Sequence, residues 1–233
     1  MKTSVYPIQR LIAKRLREAS NNREHKDRTG WYASELGNCM RQSYMKRLGL
    51  KADEEFDDRT LRVFDVGYRD EDFTLQDLEK AIGVRDPRFP FIKKFEREIR
   101  VEDKELHVSG RMDGLITYED DEQEVIEAKS KNSRSFWYMD KKGEGANEQH
   151  TWQIWIYLWI TGVKIGQICY VSKDDLTMLQ YPIFRNDEKI KKNVLERLKS
   201  LNDYWDRKVV PPKMDSKSWQ CRYCQYKKTC KKM

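Results

Sequence analysis

Asp113 stands in the segment Gly110-Arg111-Met112-Asp113-Gly114, and Glu127-Ala128-Lys129 follows the apolar pair Val125 and Ile126. Both segments read as strands. Side chains alternate between the two faces of a strand, so Glu127 and Lys129 share one face while Ile126 and Ala128 take the other. A hairpin brings Asp113 beside them. Two converging carboxylates make a hard-oxygen site suited to Mg²⁺ or Mn²⁺, and a lysine two residues along can orient or activate a water. Such a set suits phosphodiester hydrolysis. The ion would offset charge developing on the phosphate, and Lys129 would add a positive charge at the attacking water or the transition state. An ExK triplet taken alone is usually a solvated cross-strand charge pair. Its weight here comes from context: an aspartate between glycines upstream, an apolar strand around the triplet, and the helix that follows.

In that helix Gln153 and Tyr157 are four residues apart and share a face, while Trp152, Ile156 and Trp159 are placed to cover the core side, leaving the two polar tips free. Gln153 can position a water or phosphate, and Tyr157 can hydrogen-bond or stack on a base. His150, three residues ahead of Gln153, reads as a surface or cap residue before it reads as a ligand. Residues 129–138 leave the ExK strand as a loop that turns from basic to aromatic. In it Lys131 and Arg134 can hold phosphates, and Phe136 or Trp137 can stack on unpaired bases, although burial under the next helix is the stronger expectation for Trp137. Arg111 projects from the same strand face as Asp113 and suits either a phosphate or a carboxylate.

Cys221, Cys224 and Cys230 form a CxxC followed by five residues and a third cysteine, and Cys39 is the obvious distant fourth. Four thiolates suit tetrahedral zinc or an iron-sulfur cluster, and spacing does not choose between them. Cys169, within Ile168-Cys169-Tyr170, reads as a buried small hydrophobe.

The elements that must position these groups follow from periodicity. Ile8, Leu11, Ile12 and Leu16 predict a helix. A second is expected to start after Ser34 and reach Leu48, with Cys39 in its first turns, and a longer one spans Leu61 to Ile82 with a break near Gly67. Residues 95–101, 106–118 and 124–130 predict an antiparallel meander, 146–160 an amphipathic helix, 164–171 and 178–184 two more strands, and Ile190 to Trp205 a last long helix. The chain therefore reads as three parts: a helical N-terminal part with the first cysteine (1–56), an α-βββ-α-β core (57–185), and a long helix with a cysteine-bearing tail (186–233).

Asp113, Glu127-Ala128-Lys129, and Gln153 with Tyr157 together resemble the PD-(D/E)XK nuclease superfamily, in particular its RecB-like exonuclease branch with a QxxxY motif. The resemblance implies an α/β restriction-endonuclease-like core with a mixed sheet, and a metal-dependent DNA exonuclease acting on single-stranded or frayed ends, with endonuclease activity open. It assigns Asp113, Glu127, Lys129, Gln153 and Tyr157 to catalysis. That branch also carries a GxxxH motif whose His binds metal, and the matching register is Gly67 to Glu71, where Glu71 replaces the His. The implied ligands of Mg or Mn are then Glu71, Asp113, Glu127 and the carbonyl of Ala128. CRISPR-associated RecB-like exonucleases and AddB-type helicase-nucleases have one cysteine before the core and three after it. By this likeness Cys39, Cys221, Cys224 and Cys230 are expected to hold a structural 4Fe-4S cluster, with structural Zn as the alternative, and recombination or CRISPR adaptation proteins become expected partners.

Composition is consistent with this and excludes other classes. The chain has 233 residues and a formal charge of +7, but the sign varies along it. Residues 1–30 carry eight Lys or Arg against three acids, residues 213–233 seven against one, and residues 51–80 eleven acids against five bases, so a uniformly cationic coat is excluded. The longest apolar run, 154–160, is far shorter than the roughly 20 residues a bilayer span needs, and residues 1–15 lack a signal peptide's apolar core, so a cytoplasmic protein without membrane contact is expected. Two rivals stand beside the nuclease reading. One is a catalytically inactive DNA-binding adaptor, against which the complete set Asp113, Glu127 and Lys129 argues, and the other is a zinc-tailed nucleic-acid binder. Homo-oligomer formation stays open.

Overall fold

The computed structural model describes residues 8–24 and 28–233, so residues 1–7 and 25–27 of the basic N-terminal stretch lie outside the described residues. In chain order the elements are α1 (Ile8–Glu24), β1 (Trp31–Tyr32), a 3₁₀ turn (Ala33–Glu35), α2 (Met40–Arg47), α3 (Asp58–Lys80), β2 (Ile92–Asp103), β3 (Val108–Tyr118) and β4 (Gln123–Lys131). They continue as α4 (Ser133–Lys141), α5 (Glu148–Thr161), β5 (Ile165–Ser172), β6 (Met178–Phe184), α6 (Glu188–Asp206), α7 (Trp219–Arg222) and α8 (Lys227–Lys232).

The strands form one mixed sheet in the order β1-β3-β4-β5-β6, with β2 also paired to β3. β2, β3 and β4 are the expected antiparallel meander, while β4 and β5 run parallel and are joined through α4 and α5. That crossover lays α5 on one face of the sheet. There Ile154, Trp155, Ile156 and Leu158 pack with Trp31, Val108, Val125 and Ile168, and α6 closes over them with Val194, Leu198 and Leu201. A smaller cluster on the other face joins Leu75 of α3 to Ile116, Ile126, Ala128 and Cys169. The alternation of β4 thus divides Val125 from Ile126 between two cores, as period two requires. Cys169 is buried, and burial pushes its thiol up to about 11.

Three elements depart from expectation for tertiary reasons. The helix expected from Ser34 starts only at Met40, with Cys39 at its N-cap, because Arg197 of α6 takes the carbonyls of Leu36 and Asn38 as acceptors and residues 33–35 close into a 3₁₀ turn. α3 runs unbroken through Gly67. Its N-terminus is capped by Asp57, which accepts from Thr60 N–H, and a Cβ at Gly67 would lie 3.9 Å from Ser130 Oγ, so the helix rests close on β4 there. The loop expected after the ExK strand is α4, because Asn132 caps Ser135 N–H and Phe136 and Met139, three apart, bury one face. Among the described residues no helix is long and apolar enough to cross a membrane.

Glu35, buried at the turn before α2, is held by Arg28 at 2.7 Å and Lys46 at 2.9 Å. Burial opposes its ionisation, but Lys46 and Arg28 outweigh burial and hold the carboxyl below its ordinary value. A depressed folded-state pKa gives stability that is fully present above the unfolded value, near 4.5, and is lost as pH falls through the folded one. Urea unfolding followed from pH 6 down to about pH 3 should therefore show a steeper loss of stability for the native chain than for Glu35→Gln; equal slopes would remove this ion triad from the acid response.

Candidate active site

The β3–β4 ladder runs only from Gly114↔Ile126 to Thr117↔Gln123, and at its other end β3 pairs instead with β1 through Val108 and Ser109. The edge of β3 between Gly110 and Asp113 is therefore left without a strand on that side. Two side chains fill the fork. Asp113 Oδ2 accepts the backbone N–H of Ala128 at 2.9 Å, replacing the strand partner that β4 has lost. Tyr157 Oη of α5 donates to the carbonyl of Arg111 at 3.1 Å. A Cβ at Gly110 would lie 2.5 Å from Tyr157 Cε1, so only glycine lets the ring reach that edge. At Gly114 a Cβ would lie 2.3 Å from Phe95 Cε2, which explains the second glycine beside Asp113.

Glu127 and Lys129 project into the same fork. Lys129 Nζ lies 2.5 Å from Glu127 Oε1 and 3.6 Å from Asp113 Oδ2, and it donates to the carbonyl of Ala128 at 2.9 Å. Gln153 Nε2 donates to Glu127 Oε1 at 2.6 Å and to Tyr157 Oη at 3.2 Å. A continuous relay thus runs from Glu127 through Gln153 and Tyr157 to the Arg111 carbonyl. The polar tips of α5 are consequently buried and engaged rather than free, and Trp159, expected on the core side, is 39% exposed.

Glu71 enters from α3. Its carboxyl is pushed up to about 7, by burial first and then by Asp113, against the pull of Lys129 and Arg111. Glu127 is fully buried and pushed up by burial and by Asp113, with Lys129 opposing. Burial disfavours the Lys129 ammonium, yet Glu127 and Asp113 hold its pKa above the usual lysine value. The centre therefore holds more carboxyl groups than its one ammonium can balance. Glu127 Oε2 is buried and has no hydrogen-bond partner among the described residues. An orphaned carboxylate oxygen beside Asp113 and Glu71 fits a divalent cation. No trio of His, Cys, Asp or Glu among the described residues is drawn tightly enough to form a ready-made metal site, and Lys129 rests on the oxygens a cation would use.

The residues flanking Glu71 point elsewhere. Asp70 faces Lys173 at 3.6 Å and Asp72 pairs with Arg97 at 2.5 Å, so only Glu71 turns toward the cluster. Glu98 gave no signal in the sequence. It sits mid-strand with a left-handed φ of 55°, between the pairs Arg97↔Gly114 and Ile99↔Met112, and its carboxylate lies 3.3 Å from Arg111 Nη1. On α4 the expected roles are exchanged: Phe136 is buried, whereas Trp137 is 46% exposed, edge-on to Tyr138.

The four cysteines come together where the segment before α2 meets the C-terminal tail. Cys39 N–H donates to Gln220 Oε1, Arg41 donates to the carbonyl of Cys230, and Gln42 Nε2 and Tyr226 N–H reach Cys224 Sγ at 3.7 and 3.4 Å. All are free thiols. Burial and then the charges of the other cysteines push Cys221 above its ordinary value, and burial and cysteines 39 and 230 do the same for Cys224. Four cysteine sulfurs have the donor chemistry of a metal centre, although the described residues do not close on one.

The sequence matches the family model described as the PD-(D/E)XK nuclease superfamily over residues 6–231, and the chain belongs to that superfamily. No curated protein matches it in sequence. Among solved structures, the crystal structure of SSO0001 is similar at 19% identity, covering 95% of each chain with a TM-score of 0.57. The alkaline exonuclease LHK-Exo from Laribacter hongkongensis is similar at 18% identity, covering 78% of this chain and 94% of that one, TM-score 0.53. A phage related exonuclease from Haemophilus somnus 129PT covers 76% and 94% at 16% identity, TM-score 0.50. At these identities the likeness is one of fold.

Because Tyr157 occupies the space above Gly110, Gly110→Ala should destabilise the chain by about 1–3 kcal/mol through overpacking. Denaturant midpoints measured with an unchanged m-value would check it; a neutral effect would mean that the ring is not held against this edge.

Proposed function

We propose that the chain is an Mg- or Mn-dependent deoxyribonuclease that removes nucleotides from single-stranded or frayed DNA ends. The observation that carries this reading is the buried, unpartnered Oε2 of Glu127, set beside Asp113 and Glu71 in the β3–β4 fork. Superfamily membership gives the reaction class, and exonucleases among the structures of similar fold, one of them solved with dAMP, support the exonuclease choice.

Glu71, Asp113, Glu127 and the Ala128 carbonyl would hold the divalent ion. When bound, the ion supplies charge neutralisation on the phosphate and a nucleophilic water near neutral pH. Lys129 is the fixed cation of the site. Its ammonium rests on the Ala128 and Glu127 oxygens that would also hold the ion, and its donors would stabilise negative charge at the reacting phosphate. Gln153 fixes the rotamer of Glu127, and Tyr157 ties that pair to β3, so both act by positioning. The exposed Trp137 and Tyr138 offer stacking surfaces suited to unpaired bases.

Cys39, Cys221, Cys224 and Cys230 would hold a 4Fe-4S cluster in a structural role, clipping α2 to the C-terminal tail. A clip between positions so far apart in sequence restricts the unfolded chain strongly. By the likeness of the cysteine pattern, recombination or CRISPR adaptation proteins are the partners this reading favours.

Glu127→Ala and Lys129→Ala should each abolish degradation of end-labelled single-stranded DNA in Mn²⁺ while leaving DNA binding largely intact; retained cleavage by either would overturn the site assignment. Protein purified anaerobically should be brown and contain about four irons per chain, with the colour lost and the melting temperature lowered in Cys221→Ser. Colourless, zinc-containing protein would replace the cluster with zinc.

A further inference from the structure

Beyond Lys129, β4 places one more side chain on the face that carries Glu127. By the two-residue period this is Lys131, about 7 Å further along the strand. Its neighbour across the parallel ladder is the β5 segment Tyr170–Ser172, and Lys131 Nζ lies 5.5 Å from the centroid of the Tyr170 ring. The ring face is a favourable contact for the ammonium, but it supplies no counter-ion. Lys131 is half-buried, no carboxylate among the described residues pairs with it, and burial together with the like charge of Lys129 holds its pKa below the usual lysine value.

His150, in the first turn of α5, flanks the same ring, with centroids 5.6 Å apart. Tyr170 Oη accepts the N–H of Asn147 at 3.1 Å and lies 2.7 Å from His150 Nδ1. In the tautomer in which the phenol gives its proton to Nδ1, the neutral imidazole carries its own hydrogen on Nε2 as a donor. Burial, Lys129 and Lys131 push His150 down to about 3, which keeps it neutral. A half-buried ammonium without a counter-ion and a neutral N–H donor, flanking one tyrosine, form a site for a singly charged oxyanion.

We propose that Lys131 and His150 form a second phosphate subsite, one nucleotide step along the strand from the scissile phosphate held at Lys129. The placement rests on the nuclease reading, since it takes the scissile phosphate to sit at the Lys129 ammonium. Two strand residues span about the distance between successive phosphates of an extended single strand. The subsite therefore holds the neighbouring diester and sets the register in which the scissile bond meets the acidic cluster.

Binding of a fluorescent single-stranded oligonucleotide in Ca²⁺, followed by anisotropy over a range of salt, is the first test. Lys131→Gln should weaken binding about tenfold and make the salt dependence shallower by about 0.7 in log-log slope, the loss of one phosphate contact. Lys131→Arg should restore both, which separates lost charge from lost fold. His150→Phe should weaken binding about threefold with no change of slope, because the donor it removes is neutral. Lys192→Gln, on the exposed face of α6, should alter neither. Cleavage in Mn²⁺ of oligonucleotides with one neutral methylphosphonate on either side of the scissile bond is the second test. The native chain should be slowed about tenfold by the substitution on one side only, and Lys131→Gln should show no further slowing there. Native-like binding and slope in Lys131→Gln, or a methylphosphonate penalty that persists in it, would overturn the subsite. Absence of metal-dependent cleavage with the binding effects intact would remove the nuclease reading and leave the phosphate site standing.

Discussion

The fork between β3 and β4 is the constraint on which the site depends. A sheet that stayed paired along its whole length would bury the Ala128 N–H in a ladder and leave no room for a cation. Here the ladder stops at Gly114 and Ile126, β1 takes over the far end of β3, and Asp113 satisfies the Ala128 N–H with its own carboxylate. One hydrogen bond thereby does two jobs. It pays the polar cost of splitting the strands, and it fixes the aspartate within reach of Lys129 and beside Glu127.

Splitting the strands creates an electrostatic problem that the rest of the structure contains. Glu71, Asp113 and Glu127 converge where burial penalises charge, and Lys129 offers a single compensating ammonium. Gln153 and Tyr157 hold Glu127 against its neighbours through a relay that ends on the β3 backbone. The packing of α5 makes that relay rigid, since Ile154, Trp155, Ile156 and Leu158 are all buried around the two polar side chains. A similar logic governs the cysteines, where Arg41, Gln42 and Gln220 hold together segments from the two ends of the chain.

Much of the architecture was legible because local patterns and tertiary demands agree. β3 and β4 carry the apolar, β-branched residues that strands packed between two cores need, and α6 shows its buried stripe at Val194, Leu198 and Leu201. Reading failed where a distant residue decided. Ser34 is a good helix cap, but Arg197 claims the carbonyls that would have opened the helix. Gly67 looked like a break, but it is the point where α3 rests close on β4. Trp137 looked like core, but α4 turns Phe136 inward instead. The left-handed Glu98 lies in a segment whose alternation is ordinary, so nothing local marks it.

The sequence by itself determined the candidate groups, Asp113, Glu127, Lys129, Gln153 and Tyr157 with four cysteines, because residue types, strand alternation and helical spacing are local properties. It also determined the succession of most helices and strands. Only the tertiary structure decided that Glu71 rather than Asp70 or Asp72 turns to the cluster, that Gln153 and Tyr157 are engaged in hydrogen bonds, and that Lys131 has no counter-ion among the described residues. Those outcomes depend on which side chains from remote segments arrive at the same few ångströms, and on how much water is excluded there, quantities that no window of neighbouring residues contains.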